Sequence, residues 1–374
     1  MQKGFSLLRV ILLSTFLSLS APLASLAFPK VATLPSAHVQ EVFDGLKVPW
    51  GFDFITPHKI VITERHGEMH LFDLKEQKAT TILGVPKVAH FGQGGLLDVA
   101  AHPQFDKTKE IYFTYAISLE SGYTTRLAKA KLSGHKLTGL KTLFTASPAS
   151  PSTRHFGSRL AFDSNGYLYM SIGDRGDRNK AQRLDSHHGK VIRLRLDGQI
   201  PDSNPFFYKK GAQKEIWTFG HRNPQGMARH PSTGEIWLNE HGPKGGDEIN
   251  ILKRGANYGW PVITYGREYS GQKIGTTHRE GMEQPLFYFT PSIAPSGMTI
   301  YSGDKFKDFL GDVFSGALAL THLNRLSLDG NQKVIRQERM LESWQERIRN
   351  VKTGPDGYIY FSTDSGSIMR LVPK

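Results

Sequence analysis

The chain has 374 residues, a formal net charge of +13, no cysteine, and 38 glycines, 20 prolines and 11% aromatic residues. Without thiols there is no disulfide, no thiolate chemistry and no lipidated cysteine, and a chain of this length buries enough apolar surface to fold without cross-links. Its basic residues are scattered, with no long run and no zinc-finger or RNA-binding signature, which argues against a nucleic-acid partner and leaves open a small anion held by dispersed arginines.

In chain order, Lys3 and Arg9 lead into an apolar stretch from Val10 to Leu19, which ends at Ser25-Leu26-Ala27. That order predicts a signal peptide over 1–27 and a mature single domain over 28–374, exported to the periplasm or secreted. The stretch is short and rich in Ser and Thr, and no later one approaches the roughly 20 apolar residues of a spanning helix, so stable membrane insertion is not expected.

From Trp50 onward a unit recurs six times, in which an apolar strand runs through a turn into a second strand with aromatic or branched residues. The clearest copies are Leu160–Tyr169, Met227–Trp237 and Val351–Tyr360, and weaker ones start near Trp50, Leu97 and Met298. Asn-Gly and Asp-Gly pairs predict tight antiparallel hairpins, because they supply positive φ. Further strands follow at Gly189–Leu194 and Leu323–Leu328, ending at Asp197-Gly198 and Asp329-Gly330. Four strands per unit, six units and scarce helical periodicity predict an all-β, six-bladed β-propeller with four-stranded antiparallel blades. One blade cannot bury both faces alone, so the ring must fold as one domain.

In such a ring the polar clusters flanking first strands are candidates for a site. Gly92-Gln93-Gly94-Gly95 lets backbone approach a ligand closely or makes a plain turn. Arg154-His155-Phe156-Gly157-Ser158-Arg159 places His155 where it serves as a general base or stands as a solvated loop side chain. Gly220-His221-Arg222-Asn223-Pro224 suits carboxylate or quinone oxygens and equally suits a rigid surface turn. Glu240-His241-Gly242-Pro243, with Asp247-Glu248 and then Asn257-Tyr258-Gly259-Trp260-Pro261, offers carboxylates and carbonyls to a hard cation without EF-hand spacing. Arg347 and Arg349 alternate on one face of a strand.

Together these segments, running from Trp50 to Leu371, resemble the PQQ (pyrroloquinoline quinone) dependent soluble aldose sugar dehydrogenases, relatives of soluble glucose dehydrogenase. The resemblance implies oxidation of the anomeric carbon of an aldose to a lactone, with PQQ as hydride acceptor, Ca²⁺ as electrophile and an electron acceptor that the sequence does not identify. It implies that His155 is the catalytic base, that Arg222 and Asn223 contact the quinone, and that Gln93 lies near substrate and cofactor. Arg347 and Arg349 match ligands of the cofactor's carboxylates, Gly242 and Pro243 match backbone ligands of its calcium, and Glu248 and Tyr258 match a second, structural calcium site. One position departs from the pattern: a family lysine that contacts the cofactor is replaced by Ala319 in Gly316-Ala317-Leu318-Ala319-Leu320-Thr321-His322, unless His322 or Arg325 takes its place. Competing readings are a non-catalytic propeller that serves as a binding module and a calcium-dependent lactonase, and the fold alone does not separate them.

Overall fold

The computed structural model describes Met1 and residues 37–374, so the expected signal peptide lies outside the described residues. Six separate four-stranded antiparallel sheets form in chain order, as the repeat predicts. Their first strands are Pro49–Thr56, Leu96–Ala101, Leu160–Phe162, Pro224–Arg229, Pro295–Ile300 and Ile348–Thr353, and neighbouring first strands meet around the ring. The ring closes because the amino-terminal strand Ala37–Phe43 pairs antiparallel with the carboxy-terminal strand Ile368–Pro373 in the last blade.

Period-two alternation explains how each blade stays buried on both faces. In the first blade Val61 joins a cluster with Val99, Ile111 and Phe113 of the second blade, whereas Ile60 and Ile62 join Tyr360 and Ile368 of the last. In the second blade Tyr112 turns instead to Leu160 and Met170 of the third. The same handover continues through Tyr169 to Met227, Trp237 to Met298 and Phe314 to Phe361. Each core is therefore shared by two blades.

Three of the expected tight turns use glycine at positive φ: Gly166, Gly198 and Gly357. At Asp329-Gly330 the left-handed position falls on Gln332 instead, because Asp329 Oδ1 accepts the Asn331 and Lys333 backbone N–H groups, both at 2.9 Å, and rounds the turn one step later. Among the described residues no helix is long and apolar enough to cross a membrane.

Candidate active site

Chain entries to first strands and exits from second strands meet at one end of the ring, around a cavity of about 310 Å³. Trp50, Gln93, Asn223, Arg347 and Arg349 all line it, although they come from four blades. Gln93 is placed by backbone: its N–H donates to Thr153 O at 2.8 Å, and a Cβ on the preceding Gly92 would overlap that segment. Its Oε1 in turn accepts the His155 N–H at 2.7 Å.

His155 adopts a left-handed φ of +57°, uncommon for a residue with a Cβ. The conformation is held because Nδ1 lies 2.7 Å from Asp174 Oδ1, while Asp174 also accepts from Gly176 N at 2.8 Å and from Trp260 Nε1 at 2.9 Å. Burial opposes ionisation of Asp174, but its hydrogen bond to His155 and the charge of that ring outweigh it and hold the carboxyl below its usual range. An ionised Asp174 makes Nδ1 the donor and leaves the lone pair on Nε2, which is the arrangement a general base needs. Burial is also the largest influence on His155 and keeps it neutral to lower pH than a free imidazole, against the opposing pull of Asp174.

Asn223 faces His241, just past the strand Ile236–Glu240, Nδ2 to Nδ1, at 3.4 Å. Arg222 turns away from that cavity into a second, narrower hollow lined also by Glu240, Gly242, Glu248 and Tyr258. There its Nη1 donates to Gly242 O at 2.8 Å, the carbonyl expected to bind calcium. Pro243 is buried against Gly266 of the loop that pairs Arg267 with Lys244. Asp247, within the same motif, does not offer itself to a cation, since it accepts from Gly242 N (2.7 Å), Ser292 Oγ (3.1 Å), Ile293 N (2.7 Å) and Ala294 N (2.8 Å). Burial raises its pKa to about 6, and its role is to staple two loops.

Glu248 and Glu240 share one amide, Asn250 Nδ2, at 3.1 and 3.3 Å. Glu240 also faces His221 Nδ1 at 2.8 Å and accepts the Arg222 N–H at 2.6 Å. Desolvation, then the charge of Glu240, push the Glu248 carboxyl upward, so this pair is short of positive charge. The Tyr258 hydroxyl donates to Ile251 O at 2.5 Å and accepts from Lys253 N at 2.9 Å, which leaves only its backbone carbonyl for a metal.

On the far wall, Arg347 and Arg349 do point the same way, and one carboxylate explains it. Asp364 accepts from Arg347 Nε at 2.8 Å and from Arg349 Nε and Nη2 at 2.8 and 2.7 Å. A third guanidinium, that of Arg65 from the first blade, lines the same cavity; its Nη1 donates to Gly92 O at 2.7 Å and its buried Nε has no partner. Burial chiefly, then Arg349, lowers the Arg65 pKa. Ala319 lines the cavity as well. His322 is buried with Nδ1 on Leu320 O at 2.9 Å, Arg325 pairs with Asp312 and Glu338 at 2.6 Å each, and neither lines the cavity.

With this geometry in place, comparison with known proteins is decisive at the family level. The family model for glucose/sorbosone dehydrogenases matches residues 46–370. The chain belongs to this family.

It is 42% identical over 362 residues to aldose sugar dehydrogenase YliI of Escherichia coli (strain K12), covering 94% of this chain and 97% of that protein. The crystal structure of the soluble aldose sugar dehydrogenase from Escherichia coli in the apo-form superposes with a TM-score of 0.87 at 41% identity, covering 90% of this chain and 100% of that one. The PQQ-bound form of aldose sugar dehydrogenase from Streptomyces coelicolor gives a TM-score of 0.75 at 25% identity, covering 93% and 100%.

Within this family member, the residues that sequence reasoning missed share a position. Arg65 directly follows the second strand Lys59–Glu64, Asp174 follows Tyr167–Ile172 with Gly173 between, His241 directly follows Ile236–Glu240, and Asp364 directly follows Ile359–Thr363. A charged or polar residue just past a second strand lies at the same ring end as the start of the first strand, and that signal could have found all four.

Proposed function

We propose that this protein is a PQQ- and calcium-dependent aldose sugar dehydrogenase that oxidises the anomeric carbon to a lactone. The observation that carries the reading is the His155–Asp174 pair next to a cavity whose wall holds three guanidinium groups, two of them bound to a single carboxylate. Such a wall fits a planar polycarboxylate, and the unpartnered Arg65 Nε is a donor aimed at no protein atom. Arg65, Arg347 and Arg349 would hold the carboxylates of the cofactor, with Asn223 and Gln93 beside its quinone end. When bound, PQQ supplies the acceptor for the hydride leaving the sugar's C1.

His155 Nε2 takes the proton of the anomeric hydroxyl, and Asp174 stabilises the imidazolium that results. Gln93 fixes the His155 backbone, so that the ring meets the sugar in one orientation. The Gly242 and Pro243 carbonyls would hold a calcium ion as Lewis acid. Arg222 now contacts the Gly242 carbonyl and would be released toward the quinone when an ion takes that place. Glu248, Glu240 and the Tyr258 carbonyl suit a second hard cation, because two carboxylates short of positive charge are stabilised by one. A lactonase with one cation ringed by carboxylates fits poorly with a cavity wall of guanidinium groups. Export to the periplasm, from the signal-like segment 1–27, belongs to the same proposal, and the electron acceptor stays unassigned.

The test is titration of apoprotein with PQQ, with and without Ca²⁺, followed by an aldose panel with a dye acceptor. Calcium-dependent perturbation of the quinone absorbance together with turnover is the expected result. Binding indifferent to chelator would overturn the metal assignment, and tight PQQ binding without turnover on any aldose would favour the non-catalytic propeller.

A further inference from the structure

Outside the dehydrogenase cavity, the turn that joins the strands Lys59–Glu64 and Met69–Asp73 gathers two carboxylates and two imidazoles. We infer that Glu64, His66, Glu68 and His70 form a zinc site on the first blade. Glu64 follows Ile60 and Ile62 on the strand face toward the last blade, and the turn brings His66 and Glu68 over it. The turn is tight, with Gly67 N donating to Glu64 O at 2.9 Å and Glu64 N to Glu68 O at 2.8 Å.

The spacing carries the inference. His66 Nδ1 lies 3.4 Å from Glu64 Oε2, His66 Nε2 3.6 Å from Glu68 Oε2, and His70 Nε2 3.6 and 3.7 Å from the same two oxygens. Good hydrogen bonds are shorter, and His66 Nδ1 and His70 Nε2 are indeed buried atoms with no hydrogen-bond partner. Tetrahedral ligands about 2.0 to 2.2 Å from one ion stand roughly 3.3 to 3.6 Å apart. The His70 Nε2 spacings of 3.6 and 3.7 Å are close to that, and His66 joins through one of its two nitrogens, since one ligand atom from each of Glu64, His66 and Glu68 lies within 4.8 Å of the others. Among the described residues neither carboxylate has a lysine or arginine ion-pair partner, so two negative charges face two imidazoles that are neutral as ligands.

The atoms behind the ligands are also arranged. Glu64 Oε1 accepts the Lys47 N–H at 2.8 Å, and Thr81 Oγ1 lies 3.5 Å from His70 Nδ1, which leaves Oε2 and Nε2 for an ion. Such outer contacts fix the orientation of first ligands. Burial is graded, from Glu64 and His70 with side chains 4% and 13% exposed to Glu68 at 56%, so the site has a closed floor and an open mouth. Two nitrogens and two oxygens suit zinc, whereas calcium prefers oxygen alone and copper(I) prefers sulfur. The ion would clamp the turn whose intervening residue, Arg65, reaches into the cavity.

The experiment uses tag-free, chelator-stripped protein titrated calorimetrically with Zn²⁺ in the presence of excess Ca²⁺, with Co²⁺ as a spectroscopic probe. One zinc per chain and the strong visible absorption of tetrahedral cobalt are expected. Glu68→Gln and His66→Gln, both at the open mouth, should each weaken zinc by about 10- to 100-fold while metal-free melting temperature and circular dichroism stay native. Absence of stoichiometric zinc binding, or equal zinc affinity in these natively folded variants, would overturn the site. So would displacement of zinc by calcium, which would assign the cluster to a hard cation.

Discussion

At the scale of single residues, His155 and Arg65 make separable predictions. A general base contributes about 10² to 10⁴ in rate, so His155→Ala should lose turnover by that order while PQQ affinity stays within a few-fold. The acid limb of kcat/KM reports the same imidazole in the free enzyme. Burial lowers its pKa, and the base form is neutral, so activity should persist as pH falls past the ordinary histidine value of 6.5 and be lost only below it. A limb at or above that value would mean that another group titrates. Arg65→Met removes one charge-assisted donor from the cavity wall and should weaken PQQ by about 10- to 100-fold in a quinone-absorbance titration. Because Arg65, Arg347 and Arg349 already supply three guanidinium groups there, Ala319→Lys should change that affinity little.

At the scale of elements, the entry loop of the second blade is where backbone geometry controls the site. Gly95 has φ +145°, and a Cβ there would overlap the Arg65 carbonyl oxygen, which itself accepts Leu96 N at 2.9 Å. Neither strain nor overlap can relax without moving Arg65 or Gln93. Gly95→Ala should therefore cost about 3 kcal/mol in denaturant unfolding and weaken PQQ binding as well. Gly139, also at positive φ but facing open space, is the control: Gly139→Ala should cost only about 1 to 2 kcal/mol and leave PQQ binding native. Equal effects on stability and binding would mean that the loop is more plastic than its contacts imply.

For the whole molecule, stability depends on closing the ring. Strand Ala37–Phe43 covers the edge of Ile368–Pro373 and buries Ala37 and Val42. A chain starting after Phe43 would leave that edge unpaired and open to other chains. Lost burial and ladder hydrogen bonds together should lower stability by about 3 kcal/mol or more, with a lower melting temperature and concentration-dependent aggregation. A truncated protein that melts as the full one does would show that the other three strands suffice to close the last blade.

Much of this was legible in one dimension because it depends on local chemistry. Alternating apolar residues and Gly-containing turns recur with each blade, and strands begin within a few residues of the predicted starts, at Pro49, Leu96, Leu160, Pro224, Pro295 and Ile348. Glycine and proline motifs likewise marked the loops that hold Gln93, His155, Asn223 and Gly242, since close backbone approach needs those residue types. Tertiary structure alone decided which charges meet. Asp174 is 19 residues from His155, Asp364 is 15 from Arg349, and Arg65 shares a wall with arginines more than half the chain away, so no local pattern ties them together. It also sent Arg222 to the Gly242 carbonyl rather than to the cavity, and turned the Tyr258 hydroxyl away from any metal. The physical reason is that a propeller places six chain entries side by side at one end of the ring, so the partners of a buried charge come from neighbouring blades and not from neighbouring residues.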